Sequence, residues 1–391
     1  MITVDEALAR VLALAGPVRS EEIPLTEGLN RVLTAPVRAR LTQPPFNAAA
    51  MDGYAIRRAD LDLALPVIGE AAAGRPWQGQ AAPGTAIRIF TGAPVPDGYD
   101  MVVMQEHIRR EGDVIRIETR NSNDNIRPEG ADFRTNSEFN PRRPLTPRDL
   151  ALIAAMNVDR INVARRPRVA IIAGGDELVP PGTEPGPGQI VSSNDIAIAA
   201  IAEQAGARAE SLPLAADTME SLLDRFSRAA DADLIVTIGG ASVGDHDLIA
   251  KITEQIGMER AFYKIAMRPG KPLIAGHIGD SAMIGLPGNP VSAITCAELF
   301  IRPLLRAMQG LPPEDRLREG RLGADLPPEG DRQHYLRARL ARDGADTIVT
   351  PVTSQDSARL GLLAEADALI VRPAGDAAKQ AGEKVRFIRL D

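Results

Sequence analysis

Three glycine-rich segments in the middle of the chain carry carboxylates and small polar side chains. They lie at residues 174–178, 239–247 and 285–290, each at the end of a run of apolar residues. Glycine lets backbone amides approach a phosphate closely, and a helix that starts after a strand favours an anion at its first turn. A tight turn explains any one segment taken alone, and none is a GxxxxGK[ST] or GxGxxG loop. Together they predict an anion-binding site at the carboxyl ends of parallel strands.

A cluster of basic residues lies between the second and third of these segments. Lys264, Arg268 and Lys271 fall within eight residues, around the sequence Arg-Pro-Gly-Lys-Pro. A rigid turn with Lys and Arg suits a phosphate or another oxyanion. The alternative is a solvated basic loop. We favour oxyanion binding, because the chain as a whole is acidic and the glycine-rich segments flank this cluster.

The N-terminal part of the chain has three further motifs with polar residues. They are Met-Asp-Gly-Tyr-Ala at 51–55, Phe-Thr-Gly-Ala-Pro-Val-Pro at 90–96 and Arg-Pro-Glu-Gly-Ala-Asp at 127–132. Asp-Gly and Gly-Ala-Pro are typical of turns, so the motifs also have a purely structural explanation. Spacing alone does not bring their carboxylates to the glycine-rich segments. Asp217, further along the chain, is also a good helix N-cap, which is the structural alternative to a role in the site.

Strands that alternate with helices predict an α/β domain with a mainly parallel sheet after residue 168. Continuous apolar runs predict buried strands, and 3.6-residue periodicity predicts helices. The strands are expected at 169–172, 233–238 and 282–286, and the helices at 194–204 and 290–309. Short β-rich runs with Gly and Pro turns predict a mostly β domain at 41–142 and a small barrel or sandwich at 315–391. Cys296, inside the second helix, is expected to be a small core residue.

Composition limits the function further. The chain has 391 residues, a net charge of −7 and a pI near 5.4, which argues against non-specific binding to nucleic acid or to an anionic membrane. One cysteine excludes a disulfide framework and a cysteine-based metal cluster, and predicts a reducing, cytoplasmic location. The sequence starts with no signal-peptide pattern and contains no apolar run long enough for a membrane span.

Six motifs, in this order, together resemble one family. They are Met-Asp-Gly-Tyr-Ala, Phe-Thr-Gly-Ala-Pro-Val-Pro, Gly-Asp-Glu-Leu, Gly-Gly-Ala-Ser-Val-Gly-Asp-His-Asp, Arg-Pro-Gly-Lys-Pro and Gly-Leu-Pro-Gly-Asn-Pro-Val-Ser. The sequence is thereby similar to the molybdopterin molybdenumtransferases, the MoeA family, whose eukaryotic relative is the gephyrin E domain. The resemblance covers essentially the whole chain.

The resemblance implies a multidomain α/β plus β protein with four domains. Residues 1–40 with 140–166 would form a small, discontinuous helical domain, and 41–139 an inserted β-rich domain. Residues 167–312 would form the central α/β domain, which binds molybdopterin and is adenylyltransferase-like, and 313–391 a C-terminal β-barrel-like domain. The resemblance also implies a homodimer, with the inserted domain of one subunit facing the α/β domain of the other.

The reaction implied by the resemblance is insertion of molybdate into adenylylated molybdopterin, with Mg²⁺ and release of AMP. It implies catalytic roles for polar residues of several motifs: Asp52, Thr91, Asp132, Glu177 and Asp247. Glu177 and Asp247 are also the expected metal ligands, since Mg²⁺ prefers carboxylate oxygens. The substrate-binding residues implied are Gly239, Gly240, Ser242, Gly244, Asp217, Lys264, Arg268, Lys271, Pro287, Gly288, Asn289 and Pro290. Some relatives carry Lys where this chain has Arg268. Arginine keeps the positive charge but replaces the compact ammonium group with a planar guanidinium that can donate to two oxygens.

Two other functions remain open from the sequence. One is the adenylyltransferase activity of the related single-domain family, expected here instead as the upstream partner. The other is a gephyrin-like binding scaffold. The ordered motifs favour the transferase. The sequence does not distinguish molybdate from tungstate.

Overall fold

The computed structural model describes residues 1–120, 122–239 and 248–390. Contacts within the chain divide it into two compact units. The main unit comprises Met1–Glu21 and Val163–Asp391, and the inserted unit comprises Glu22–Asn162.

The described residues form the following α-helices: α1 (Val4–Leu12), α2 (Pro147–Ala155), α3 (Asn194–Gln204), α4 (Met219–Arg228), α5 (Leu248–Gln255), α6 (Pro290–Cys296), α7 (Arg302–Met308) and α8 (Leu360–Ala364). A π-helical turn, Ala297–Ile301, joins α6 to α7, so the helix predicted at 290–309 is confirmed as one continuous element. Short 3-10 helices occupy Leu25–Glu27, Arg58–Asp60 and Gln105–His107. Among the described residues, no helix is both long and apolar enough to cross a membrane.

The strands of the first part of the chain are β1 (Ser20–Pro24), β2 (Val37–Arg38), β3 (Ala48–Ala49), β4 (Gly53–Ile56), β5 (Leu65–Ala71), β6 (Ala86–Ile89), β7 (Met101–Met104), β8 (Ile108–Glu111), β9 (Val114–Ile117), β10 (Ile126–Arg127), β11 (Glu138–Phe139) and β12 (Arg160–Ala164). Those of the remainder are β13 (Arg168–Ala173), β14 (Leu178–Val179), β15 (Ile190–Val191), β16 (Arg208–Ser211), β17 (Leu234–Ile238), β18 (Glu259–Tyr263), β19 (Met267–Arg268), β20 (Ile274–Ile278), β21 (Ser281–Leu286), β22 (Leu317–Leu322), β23 (Gln333–Asp343), β24 (Asp346–Pro351), β25 (Ala368–Arg372) and β26 (Lys384–Arg389).

The central sheet of the main unit has the strand order β16-β13-β17-β21-β20-β18. The first four strands run parallel, and β20 is antiparallel to β21. Alternate residues of β13 belong to different hydrophobic clusters: Val169 and Ile171 pack with α3, and Ile172 packs with α4 and α5. Helices cover both faces of the sheet, which is why its strands are continuous apolar runs. The predicted α/β domain is confirmed.

The C-terminal part of the main unit is a closed barrel. Strands pair in the order β23-β24-β22-β26-β25, and β25 pairs again with β23. The eleven-residue β23 makes closure possible, because His334–Ala338 pair with β25 while Ala338–Asp343 pair with β24. Side chains such as Leu336, Val349 and Phe387 fill the interior. Of the two architectures left open by the sequence, this is the barrel.

The inserted unit is built on a sheet with the order β7-β4-β6-β5-β9-β8. β4 lies between β6 and β7 and is buried on both sides: Ala55 packs in one hydrophobic cluster, and Tyr54 and Ile56 pack in another. The predicted β-rich character of this region is confirmed. The division of the chain into four domains stays a prediction.

The starts of two helices show how the sequence fixes their first turns. Thr3 and Glu6 form the capping box of α1, with the Glu6 amide donating to Thr3 Oγ1 at 3.2 Å. At α4 the cap is Thr218, whose Oγ1 accepts from the Ser221 amide at 3.2 Å. The structural alternative for Asp217, that it caps this helix, is wrong, because Thr218 supplies the capping oxygen.

Asp149 ties down the first turn of α2 in the inserted unit. Its side chain is buried and accepts hydrogen bonds from Arg143 Nη1 at 2.6 Å and from both the amide and the hydroxyl of Thr146 at 2.7 Å. The Arg143 hydrogen bond, followed by those from Thr146, holds the pKa of Asp149 well below its usual range.

We expect Asp149→Asn to lower the free energy of unfolding by about 2 kcal/mol at pH 7, the typical value of hydrogen bonds to a charged group. A carboxyl whose pKa is depressed on folding stabilises the protein above its unfolded pKa of about 3.9 and loses that contribution as the pH falls. The difference between variant and wild type, measured by urea unfolding, should therefore shrink below about pH 4. Asp62→Asn, which breaks an exposed ion pair with Arg120, is the control and should change stability by less than about 1 kcal/mol.

Candidate functional site

A cleft of about 1050 Å³ lies in the main unit at the carboxyl ends of β13, β17 and β21. Its walls are residues 172–175, 177–178, 190–194, 238–239 and 287–290, with the first turns of α4 and α5. Helices α3 and α6 begin at this cleft, at Asn194 and Pro290. Helix starts carry partial positive charge, so the cleft suits an anionic ligand. At α6 this rests on the helix dipole, because Pro290 has no N–H and the Val291 amide donates to the Ser357 carbonyl at 3.2 Å.

The glycine-rich segments meet backbone to backbone in this cleft. The Gly239 amide donates to the Leu286 carbonyl at 3.1 Å, which joins the second segment to the third. A Cβ at Gly239 would lie 3.3 Å from the Gly174 carbonyl oxygen of the first segment, and one at Gly288 would lie 3.7 Å from the Gly239 Cα. The contact at Gly239 is tight and its φ is +86°, so glycine is favoured there, whereas a Cβ at Gly288 would make an ordinary contact.

Many of the predicted site residues line this cleft. They are Glu177, Asp217, Gly239, Pro287, Gly288, Asn289 and Pro290. The predicted residues Gly240, Ser242, Gly244 and Asp247 lie outside the described residues. The predicted basic residues Lys264, Arg268 and Lys271 do not line the cleft, although Pro272, the residue after Lys271, does.

Two carboxylates face the same cleft. The Glu177 side chain folds back over its own loop, so that a Cβ at Gly175 would lie 2.4 Å from Glu177 Oε2. Asp217 is tied to that loop, since its amide donates to Asp176 Oδ1 at 3.1 Å. Within the described ranges, no group of three or more His, Cys, Asp or Glu side chains could hold a metal. The Glu177 carboxylate is the hard oxygen donor that Mg²⁺ prefers, and this ion needs only one or two protein carboxylates beside substrate phosphates, so the donor chemistry of the cleft fits it.

Asn194 is a cleft residue that sequence reasoning missed. Its Nδ2 donates to the Gly288 carbonyl at 2.7 Å, and because a carbonyl only accepts, the amide oxygen must point the other way. That oxygen is buried and has no hydrogen-bond partner in the part of the chain that the structure describes. The available signal is the sequence Ser-Ser-Asn-Asp at the start of an apolar helix, a pattern that by itself indicates only a helix start.

The basic turn is fixed between the barrel and the α/β helices. Met267 and Arg268 pair with β23, and Met267 is fully buried. Gly270, with a φ of +105°, lies against α6, where a Cβ would approach Cys296 Sγ to 2.5 Å. Lys264 has its Nζ 4.9 Å from the centre of the Tyr263 ring. The three cations therefore sit on a rigid turn that leads directly into the wall of the cleft at Pro272.

Cys296 is the core residue that the sequence predicted. It is 0% exposed, and burial raises the pKa of its thiol. A thiol reacts as the thiolate and needs access to the reagent, so both properties protect it. We expect iodoacetamide at pH 8 to leave the native protein unlabelled and to add one carbamidomethyl group after denaturation in guanidinium, as read by mass spectrometry. Labelling of folded protein would contradict this description.

In the inserted unit, Asp52 and Thr91 form a hydrogen-bonded pair. Asp52 Oδ1 accepts from both the amide and the hydroxyl of Thr91, each at 2.8 Å. These two hydrogen bonds are the main cause of the lowered pKa of the exposed Asp52 carboxyl, and the nearby Arg88 charge acts in the same direction. Asp132 lies on an exposed loop, and its backbone amide donates to the Gln43 carbonyl at 3.1 Å. The structure thus joins two predicted residues that are far apart in sequence.

Family comparisons agree over three consecutive regions that together make up most of the chain. Residues 2–157 match the MoeA N-terminal region (domain I and II), 170–307 match a "Probable molybdopterin binding domain", and 319–390 match the MoeA C-terminal region (domain IV).

Individual relatives and solved structures point the same way. The chain is 34% identical over 387 residues to the molybdopterin molybdenumtransferase of Nostoc sp., covering 95% of this chain and 89% of that one. It is 37% identical over 369 residues to molybdopterin molybdenumtransferase 2 of Mycobacterium tuberculosis, covering 89% and 90%. A crystal structure of the molybdopterin biosynthesis MoeA protein from Pyrococcus horikoshii superposes with a TM-score of 0.87 at 29% identity, covering 100% of this chain and 99% of that one. The chain therefore belongs to the MoeA family, the molybdopterin molybdenumtransferases, which are enzymes of molybdenum cofactor biosynthesis.

Proposed function

We propose that this chain inserts molybdate into adenylylated molybdopterin and releases AMP and the molybdenum cofactor. The observation that carries the proposal is the cleft at which glycine-rich backbone, helix starts and the carboxylates of Glu177 and Asp217 converge. A substrate with a phosphoanhydride needs its negative charge neutralised and its phosphates held by amides. The dithiolene sulfurs belong to the substrate, so the protein supplies no thiol, which agrees with a single buried cysteine.

Within this proposal, each group of residues has a distinct task. Glu177 and Asp247 would hold Mg²⁺, which when bound would neutralise charge on the phosphoanhydride. The phosphate-bearing part of the substrate is bound by Asp217, Gly239, Gly240, Ser242, Gly244 and residues 287–290. Lys264, Arg268 and Lys271 attract molybdate or phosphate, and the fork of Arg268 can grip two oxygens at once.

The proposal extends to the assembly in which the reaction takes place. We propose a homodimer, in which Asp52, Thr91 and Asp132 of one subunit complete the site of the other. The enzyme would receive its substrate from a molybdopterin adenylyltransferase in the cytoplasm. A single buried cysteine and a net charge of −7 support a reducing compartment and an absence of nucleic-acid or membrane partners.

The test is AMP release from adenylylated molybdopterin by the purified protein with Mg²⁺, with and without molybdate. We expect release to depend on molybdate and the product to reconstitute an apo-molybdoenzyme. Formation of pyrophosphate from ATP and molybdopterin would instead indicate an adenylyltransferase. Binding of molybdopterin without any release would indicate a scaffold. A parallel assay with tungstate measures which oxyanion is preferred.

A further inference from the structure

Arg88 lies beside the segment that carries Asp52. It belongs to β6 and stands directly opposite Tyr54 of β4. Its guanidinium lies 5.1 Å from the centre of the Tyr54 ring and 4.7 Å from the centre of the Phe90 ring. Stacking on two rings holds a planar cation in one orientation.

The hydrogen bonds of Arg88 end on the backbone next to Asp52. Arg88 Nη1 donates to the Gly53 carbonyl at 3.0 Å, and Nη2 donates to Gln105 Oε1 at 2.5 Å. The backbone amide of the same Gln105 donates to the backbone carbonyl of Asp52 at 3.2 Å. Arg88 and Gln105 therefore hold two consecutive carbonyls, those of Asp52 and Gly53, and are themselves joined.

We propose that Arg88 is a positioning residue that, with Gln105, fixes the Asp52–Gly53 backbone so that the Asp52 carboxylate is presented to the substrate in one orientation. This inference rests on the proposed function in one respect, the participation of Asp52 in the reaction. Thr91 holds one carboxylate oxygen of Asp52, and Arg88 holds the backbone carbonyl of the next residue, Gly53.

The charge of Arg88 supports the same role. In the described part of the chain, Arg88 forms no ion pair within 4 Å; its guanidinium contacts two neutral oxygens and two aromatic rings. No directly paired carboxylate neutralises its charge, so its field acts on Asp52, whose pKa it lowers in addition to the effect of Thr91. Lysine at this position would keep the charge but lose the fork and the flat stacking surface.

The experiment compares Arg88→Met, Arg88→Lys and a control, Arg109→Met, in the full-length protein. Arg109 lies in the same unit on β8, where it is exposed and pairs with Glu111. The pKa of Asp52 is measured by carboxyl ¹³C NMR. The Asp52 carboxyl resonance is assigned as the one that is absent from the spectrum of Asp52→Asn. In parallel, kcat and KM are measured for molybdate-dependent AMP release, and thermal unfolding reports the folded fraction.

For Arg88→Met we expect a higher pKa of Asp52 and a kcat lower by about tenfold, with KM changed by less than about twofold, because orientation and not binding is lost. Arg88→Lys should keep the low pKa but recover only part of kcat. Arg109→Met should match wild type in all three measurements.

Two results would overturn the inference. One is a wild-type Asp52 pKa and kcat in Arg88→Met, and the other is a loss of kcat that merely follows the loss of folded protein. Failure of the proposed function looks different: Asp52→Asn would then retain full activity, or AMP release would not depend on molybdate, while the NMR titration would still show whether Arg88 controls Asp52.

Discussion

We expect Glu177→Gln to lower kcat for molybdate-dependent AMP release by about 100-fold, the scale of removing one charged group that stabilises a transition state. Glutamine keeps the size of the side chain and removes the negative charge. Glu177 lines the cleft, and its carboxylate folds over Gly175 at the end of β13. If it holds Mg²⁺ against the phosphoanhydride, the Mg²⁺ concentration needed for half-maximal rate should rise as kcat falls.

The control for this variant is Glu184→Gln. Glu184 is exposed on the loop between β14 and β15, so the two variants change the net charge equally and in the same segment. We expect Glu184→Gln to retain wild-type kcat and Mg²⁺ dependence, and both variants to keep the wild-type melting temperature. A wild-type rate in Glu177→Gln would remove Glu177 from the catalytic residues.

The sequence predicted best what depends on local pattern. Continuous apolar runs identified β13, β17 and β21, because strands covered by helices on both faces need apolar residues at every position. The order of strand, glycine-rich loop and helix then predicted that the loops would meet at one edge of the sheet, as Gly239 and Gly288 do.

The sequence could not predict contacts between residues that are distant along the chain. Asp52 and Thr91 are 39 residues apart, and only the pairing of β4 with β6 brings their segments together. Arg88 could not be identified as a site residue from the sequence either, because a basic residue in a short strand is usually solvated. At Asp217 and Thr218 the error was local: both residue types are good N-caps, and sequence alone does not decide between neighbours.

The largest effect on stability is expected from Gly53→Ala in the inserted unit. A Cβ at Gly53 would lie 1.9 Å from the Val103 carbonyl oxygen, which belongs to the backbone of the neighbouring strand β7. Backbone cannot turn away as a side chain can, so the pairing of β4 with β7 must separate. We expect a loss of about 3 kcal/mol or more in the free energy of unfolding, measured by urea denaturation.

Gly16→Ala is the matched control, because a Cβ there meets nothing within 4 Å, and it should leave stability within about 0.5 kcal/mol of wild type. Since Arg88 bonds to the Gly53 carbonyl, separation of β4 should also release the Asp52 segment and abolish AMP release in the protein that remains folded. Wild-type stability in Gly53→Ala would contradict the close approach of the Gly53 Cα to the Val103 carbonyl. If Gly53→Ala loses stability as expected but keeps full activity, the position of Asp52 does not depend on β4.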